Sequence, residues 1–188
     1  AATGNQNYGY MAGGENPSSV TAVMERIDYS NDTGTTNGVS TLGTARKNLA
    51  ATGNANYGYF GGGETPSGSL STIERIDYSN GTGGFVAITG IIDGSPSGIS
   101  KLAATGNVDY GYWSGGVDNA NPDVVHSLVS RLDFTNDTAN TVTKGPLTST
   151  RYALSATSST SNALPKQYDS VPHLAGESYG TQPIGTDY

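Results

Sequence analysis

Short stretches of alternating residue types recur along the chain, and each runs into a turn rich in Gly, Asn or Thr. In residues 24–29, Met, Arg and Asp lie on one side of an extended strand, and Glu, Ile and Tyr lie on the other. Both sides carry apolar groups, so both faces are expected to be covered. Arg26 and Asp28 share a face, and we expect an Arg–Asp pair within or between sheets. No stretch is typical of a helix, so the pattern predicts an all-β protein.

Three blocks of sequence recur in the same order with a period of about 50 residues, which indicates a repeat architecture. The string Ala-Ala-Thr-Gly-Asn begins at positions 1, 50 and 103. A Tyr-Gly-Tyr strand ending in a glycine cluster begins at 8, 57 and 110, and a strand containing Arg and Asp begins at 24, 73 and 129. The sequence therefore predicts three repeats, 1–49, 50–102 and 103–157.

The end of the chain departs from this pattern. A degenerate fourth start stands at 155–157, and 158–188 contains three prolines and few apolar residues. The latter is predicted to be an extended arm or a closing segment. A terminal repeat without a neighbour would leave an apolar face in water. Closure is therefore expected through oligomerisation or through further sequence.

Each repeat holds four short strands, the size of one propeller blade. Each repeat has a glycine doublet, followed by a strand of the type Ile/Val-Glu-Arg-x-Asp and then by a turn with Asn and Thr. This order resembles the kelch repeat. The kelch Trp after the turn is absent, and Trp113 lies in a different block. The resemblance implies a kelch-like β-propeller, or a propeller arc.

Four longer strings resemble the repeat-rich virion structural proteins of tailed phages that infect marine cyanobacteria. They are Leu-Ala-Ala-Thr-Gly-Asn, Tyr-Gly-Tyr-Phe-Gly-Gly-Gly, Glu-Arg-Ile-Asp-Tyr-Ser-Asn-Asp-Thr and Lys-Gly-Pro-Leu, at 49–54, 57–63, 25–33 and 144–147. The likeness covers roughly residues 1–165. It implies a structural protein located in a virion or outside the cell, and it implies no particular activity.

Composition excludes several classes of function. The 188 residues include no Cys, which excludes disulfide scaffolds, thiolate metal sites and a cysteine nucleophile. The net charge of −7 argues against nucleic-acid binding. There is no apolar run long enough to insert into a membrane. No phosphate loop or catalytic triad spacing is visible, and His126 and His173 are unrepeated, so we predict a non-enzymatic protein without a cofactor.

Paired tyrosines are the main candidates for ligand binding. Aromatic faces beside Asn and Asp suit stacking on sugar rings. The same tyrosines could instead pack between blades, an interpretation favoured because they recur in every repeat. The candidate binding residues are Tyr8, Tyr10, Tyr57, Tyr59, Tyr110, Tyr112 and Trp113 in the strands, and Glu64 and Asp118 in the loops.

Acidic turns after the third block are candidates for calcium binding, because they offer oxygen ligands. They include Asp28 and Asp32, and their equivalents in the other repeats. However, Asp and Asn also cap turns by bonding to nearby backbone, and the spacing matches no standard calcium loop. Turn capping is the favoured interpretation, and no metal site is assigned.

The sequence as a whole predicts a virion structural protein that displays loops on a β-propeller scaffold. The loops 15–19, 64–69 and 117–123 differ between copies while the strands do not, so we expect partners there. The expected partners are other virion proteins, a second copy of the chain, or a host-surface carbohydrate. Two alternatives stay open: a secreted bacterial adhesin or lectin, and a filament subunit whose blades stack between chains.

Overall fold

The computed structural model describes residues 1–80, 85–92, 97–119 and 122–158. This part of the chain forms three four-stranded antiparallel sheets and one two-stranded hairpin. It contains no α-helix, and a single 3₁₀ turn covers Tyr78–Asn80. The all-β prediction is therefore confirmed. The predicted arm at 158–188 lies outside the described residues apart from Ser158.

Each sheet is built from one repeat, with its strands adjacent in the order of the chain. The first sheet contains β1 (Ala2–Gly4), β2 (Tyr8–Glu15), β3 (Val20–Asp28) and β4 (Asn37–Thr41). The second contains β5 (Ala50–Gly53), β6 (Tyr57–Gly61), β9 (Thr72–Asp77) and β10 (Val86–Ile91). The third contains β11 (Ala103–Gly106), β12 (Tyr110–Ser114), β13 (Val129–Asp133) and β14 (Val142–Thr143).

The repeated sequence produces the same strand register in each sheet. The second tyrosine of the Tyr-Gly-Tyr block lies opposite the arginine of the third block in all three sheets, as Tyr10–Arg26, Tyr59–Arg75 and Tyr112–Arg131. Since side chains alternate between the two faces of a strand, this shared register places equivalent side chains on equivalent faces.

Two segments differ from the predicted pattern. In the first sheet, β2 continues past its glycine pair to Glu15, with a register shift between Ala12 and Gly14. The segment 64–69, predicted as a loop, forms the hairpin of β7 (Glu64–Thr65) and β8 (Gly68–Ser69). All three glycine pairs have positive φ. The first sheet differs because Gly14 and Glu15 pair with Thr21 and Val20 of β3.

Asn5, Asn54 and Asn107 form the turn between the first two strands of each sheet. Each side-chain oxygen accepts hydrogen bonds from the backbone N–H groups two and three residues later, at 2.8–3.0 Å. This arrangement replaces missing backbone partners in a tight turn. It explains why the string Ala-Ala-Thr-Gly-Asn ends in asparagine in every copy.

The sheets pack face to face, and the second sheet is covered on both sides. We call the contact between the first and second sheets the first junction, and that between the second and third the second junction. The first junction buries Tyr10, Ala12, Met24, Leu42, Leu49, Phe60, Ile76 and Tyr78. The second buries Ala50, Tyr59, Ile73, Ile88, Ile92, Ile99, Leu102, Trp113, Leu132 and Phe134.

The first glycine of each doublet lies where a strand ends, close to the backbone of the segment that follows the same sheet. Gly62 has a φ of +68°, and a Cβ there would lie 2.6 Å from the carbonyl oxygen of Ile99. Gly13 and Gly115 have φ values of +69° and +65° and meet the carbonyls of Arg46 and Arg151 in the same way. Glycine is required here for both its conformation and its lack of a side chain.

Replacement of Gly62 by alanine is therefore expected to lower the free energy of unfolding by more than about 1 kcal/mol, the cost of a left-handed conformation alone. Gly145→Ala is the matched control, because a Cβ at Gly145 has no neighbour within 4 Å and its φ is not positive. Urea unfolding measures both variants. Equal stability of the two variants would contradict the role assigned to Gly62.

Candidate functional site

Two of the six tyrosines of the Tyr-Gly-Tyr blocks, together with Trp113, lie inside the stack of sheets. Tyr10 and Tyr59 are completely buried, and Trp113 is 1% exposed. Their rings have no free face for a ligand, which leaves them packing between sheets. The other four candidate tyrosines, Tyr8, Tyr57, Tyr110 and Tyr112, are half-buried.

Stacked aromatic pairs connect neighbouring sheets at both junctions. Tyr10 of the first sheet stacks on Tyr78 of the second, with ring centroids 5.0 Å apart. Tyr59 of the second stacks on Phe134 of the third, with centroids 4.6 Å apart. Burial raises the pKa of the Tyr59 and Tyr78 hydroxyls well above its usual value. These two stacked pairs thus form the aromatic core of the two junctions.

The first tyrosine of each block is covered by an arginine. The guanidinium carbons of Arg26, Arg75 and Arg131 lie 4.5, 4.6 and 4.3 Å from the ring centroids of Tyr8, Tyr57 and Tyr110. This is the geometry of a cation–π contact. One face of each of these half-buried rings is therefore occupied by the protein itself.

An aspartate completes the second junction. Asp137, in the turn after β13, accepts hydrogen bonds from the Tyr59 hydroxyl at 2.9 Å and from Arg75 at 2.6 Å. Burial opposes the charge on Arg75, but the Asp137 carboxylate outweighs it and raises the arginine's pKa. This Arg–Asp pair forms between sheets, and its aspartate is Asp137 rather than the strand aspartate expected from the sequence. Asp77, on the same face as Arg75, instead accepts bonds from Ser79 in its own turn.

The other turn aspartates repeat this capping. Asp28 and Asp133 each accept a backbone N–H and a hydroxyl from the residue two positions later, at 2.7–2.9 Å. These hydrogen bonds lower the pKa of both carboxyl groups. No group of three or more potential metal-ligating side chains occurs in the described part of the chain.

The first junction lacks the corresponding acceptor. The Tyr10 hydroxyl is buried and has no hydrogen-bond partner among the described residues. Repeat two carries Gly81 where repeat three carries Asp137, and a glycine has no side-chain oxygen. Gly81 itself lies outside the described residues. The two junctions thus share an aromatic stack, and among the described residues only the second adds the contact to Asp137.

This difference gives a matched pair of variants. Tyr59→Phe removes a hydrogen bond to a charged group and is expected to cost about 1.5–3 kcal/mol. Tyr10→Phe removes a buried hydroxyl that has no carboxylate acceptor among the described residues, and is expected to leave stability unchanged or slightly higher. Urea unfolding of the two variants checks this expectation. Equal losses in both would show that the Asp137 bond contributes nothing.

The first junction also contains a buried ion pair. The Arg46 guanidinium donates to the Glu74 carboxylate, and both side chains are at most 5% exposed. Arg46 also donates to the carbonyl oxygens of Gly62 and Thr72, at 3.1 and 3.2 Å. The second junction has Ile99 and Ser130 at the equivalent positions. An ion pair at one junction is therefore replaced by an apolar and a small residue at the next.

Polar contacts between loops gather at one end of the sheets, which we call the loop end (15–19, 42–49, 64–69 and 97–102). Glu64 accepts hydrogen bonds from Asn48 at 2.9 Å and Ser100 at 3.0 Å. Burial would raise the pKa of Glu64, but these two bonds and the nearby lysines lower it. The Lys47 Nζ lies 2.9 Å from the Glu15 Oε1. Glu64 thus connects successive repeats.

Asp118 organises the loop that follows β12. Its carboxylate accepts the backbone N–H of Val124 at 3.0 Å and lies 3.2 Å from the His126 Nε2. Asp118 is buried. This candidate residue therefore holds its own loop in shape.

A groove of about 400 Å³ opens at the opposite end, between the first and second sheets. Its lining combines amide, phenol and carboxylate groups and includes Asn5, Asn7, Tyr8, Asn56, Tyr57 and Asp77. Groups of this kind accept and donate hydrogen bonds to hydroxyls. The structure thus brings Tyr8 and Tyr57 together, while Tyr110, Tyr112, Glu64 and Asp118 lie elsewhere.

Arg46 and Glu74 are structurally important residues that were not among the sequence-predicted sites, and Asp137 was considered there only as one of the acidic turn residues. Only Asp137 left a signal, because its turn position is Asp, Gly and Asp in the three repeats. A scan against protein-family models finds no match, and a search of curated proteins finds none. The described residues include no helix long and apolar enough to cross a membrane.

Proposed function

We propose that the protein is a non-enzymatic structural component of a phage particle, in which the repeats form a kelch-like β-propeller or an arc of one. The resemblance of its repeat strings to virion proteins supplies the location. The three stacked sheets, with one register and one strand order, support the architecture. The role is to hold loops in fixed positions for contacts with other virion proteins.

The observation that carries this proposal is the use of the repeated side chains. Tyr59, Arg75 and Asp137 join one sheet to the next, and Tyr10 and Tyr78 do so at the other junction. The repeated residues therefore build a rigid stack. The segments that differ between repeats lie in loops, where sequence can vary without disturbing that stack.

Mass spectrometry of purified, nuclease-treated cyanophage particles that encode this chain tests the location. Trypsin would release residues 102–131 and 132–144, which cover most of the third sheet. We expect both peptides in intact particles, in an amount comparable with other structural proteins. Recovery of the peptides from the infected-cell lysate alone, with none in the particles, would refute the proposal.

A second candidate function is the binding of neutral carbohydrate in the groove between the first two sheets. The groove supports it because Tyr8 and Tyr57 lie beside Asn7 and Asn56 in about 400 Å³. Sugar sites in proteins combine apolar ring faces with a few polar groups. The net charge of −7 favours a neutral sugar over a phosphorylated one.

Calorimetric titration with neutral di- and trisaccharides tests this candidate. Binding by the parent chain and its loss in Asn7→Ala/Asn56→Ala would support a site in the groove. Asn140→Ala, an exposed residue far along the chain, is the control and should bind like the parent. Absence of binding to the whole panel, or equal binding by all three proteins, would exclude the groove.

A further inference from the structure

The two outer faces of the stack carry complementary halves of the contact seen inside it. At the second junction, Tyr59 and Arg75 supply one half, while Phe134 and Asp137 supply the other. The shared register shows which residues occupy the same positions on the outer faces. The third sheet presents the first half again, and the first sheet presents the second half.

On the third sheet, Tyr112 and Arg131 occupy the positions of Tyr59 and Arg75. Tyr112 is half-buried and makes an edge contact with Tyr110, 6.5 Å away. The Arg131 Nε is buried, and it has no hydrogen-bond partner among the residues that the structure describes. Within the described ranges, this face therefore has a tyrosine without a stacked partner and a guanidinium that forms no ion pair at contact distance.

On the first sheet, Tyr29 and Asp32 occupy the positions of Phe134 and Asp137. Tyr29 is 53% exposed, whereas Phe134 is 8% exposed beneath its neighbour. Asp32 is exposed, and within the described ranges it makes no hydrogen bond or ion pair. Met11 and Val23 on the same face are 37% and 44% exposed. This face has an aromatic ring and a carboxylate without partners.

We infer that copies of this chain associate head to tail, with the third sheet of one copy bound to the first sheet of another. Tyr112 stacks on Tyr29 of the second copy, and Arg131 and the Tyr112 hydroxyl bind its Asp32. The inference rests on the proposed structural role and names the partner of that role. Such an interface joins two different surfaces, so it builds rings or filaments.

A second pair of opposite charges fits the same arrangement. Arg151 occupies the position of Arg46, because its carbonyl oxygen accepts the N–H of Gly116 as that of Arg46 accepts the N–H of Gly14. Arg46 binds Glu74 on the following sheet. The residue equivalent to Glu74 on the first sheet is Glu25, which is exposed like Arg151. Arg151 of one copy therefore meets Glu25 of the next.

The interface also includes the place beside β11 where residues 155–157 lie. Residues 155–157 stand where the first strand of a following sheet would lie, with Thr157 accepting a hydrogen bond from Thr105 at 2.6 Å. They are exposed and form no strand. By contrast, β1 is paired with β2 along its length. We expect β1 of the second copy to replace residues 155–157 at this position beside β11.

Sedimentation velocity of the full chain, with two complementary variants, tests the inference. The average mass of the parent should rise above 19.2 kDa with concentration. Asp32→Lys blocks the first-sheet face, and Arg131→Glu blocks the third-sheet face, so each variant alone should stay at monomer mass. In their mixture the unchanged faces can pair, and the two substitutions place opposite charges against each other at the changed faces, so the mixture should regain assembly.

Controls separate this result from misfolding and from other contacts. Asp123→Lys makes the same charge change at an exposed loop position and should assemble like the parent. Arg151→Glu, also exposed, weakens the third-sheet face without touching the core. A monomeric parent at all concentrations, or oligomers unaffected by Asp32→Lys and Arg131→Glu, would overturn the inference. Either outcome leaves detection of the chain in particles as the separate test of its proposed role.

Discussion

Glu74→Ala is expected to lower the free energy of unfolding by about 3–5 kcal/mol, because it leaves the Arg46 guanidinium buried without its carboxylate. Arg46 is 1% exposed, so water cannot replace the lost partner. The backbone N–H of Gly43, which donates to Glu74 at 2.8 Å, also loses its acceptor. Small domains are stable by about 5–15 kcal/mol, so this one change removes a large share. Urea unfolding followed by the fluorescence of Trp113, the only Trp, measures it.

Glu25→Ala is the control, since Glu25 holds the same position on the exposed face of the first sheet. We expect a change within about 0.5 kcal/mol, as is usual for exposed positions. A loss below about 1 kcal/mol in Glu74→Ala would mean that water or another side chain reaches Arg46. That result would contradict the burial assigned to the pair.

Trp113→Ala is expected to cost about 3–5 kcal/mol, the range for removing a large aromatic side chain from a core. Trp113 fills the second junction, and its Nε1 donates to the carbonyl oxygen of Ala50 at 3.3 Å. A Cβ at Gly61 would lie 2.7 Å from that same nitrogen, so the ring is tightly enclosed. Urea unfolding followed by circular dichroism is the measurement, since the variant has no Trp fluorescence.

Trp113→Phe is the matched control, because the second sheet carries Phe60 at the equivalent position, also completely buried. It should lose clearly less stability than the alanine variant, as the smaller ring keeps part of the contact with the second sheet. If both variants lost the same amount, the indole hydrogen bond rather than packing would dominate. If neither lost stability, the second junction would not be the closed contact described.

Much of this fold could be predicted from the sequence, because local chemistry determines it. The alternation in 24–29 and its copies predicted strands covered on both faces. The second sheet agrees, with Tyr59 and Phe60 buried on opposite faces, whereas the first sheet does not, since Val23 and Tyr29 are 44% and 53% exposed. The Asn that ends each Ala-Ala-Thr-Gly-Asn string forms its turn with nearby backbone. Such features depend on residues a few positions apart.

Contacts between sheets could not be predicted from such local features. Arg75 lies two residues from Asp77, yet it pairs with Asp137 of the next sheet. The Asp77 carboxylate instead accepts a hydrogen bond from the Ser79 hydroxyl in its own turn. Arg46 and Glu74 are 28 positions apart and belong to different repeats. Only the stacking of sheets brings such residues together, and the sequence of one repeat does not contain that geometry.

The candidate tyrosines divide for the same reason. Their spacing placed Tyr10 and Tyr59 on strand faces, but it did not show that a ring from the next sheet covers each one. The tyrosines that start each block lie nearer the end of the sheet. Tyr8 and Tyr57 consequently border a groove, and Tyr112 remains without a stacked partner at the end of the array.

We expect one set of positions to join each sheet to the next, with interchangeable side chains. The double variant Arg46→Ile/Glu74→Ser tests it most directly, since it gives the first junction the residues found at the second, Ile99 and Ser130. Its free energy of unfolding should recover most of what Arg46→Ile and Glu74→Ser lose singly. A loss equal to the sum of the two single losses would contradict this expectation.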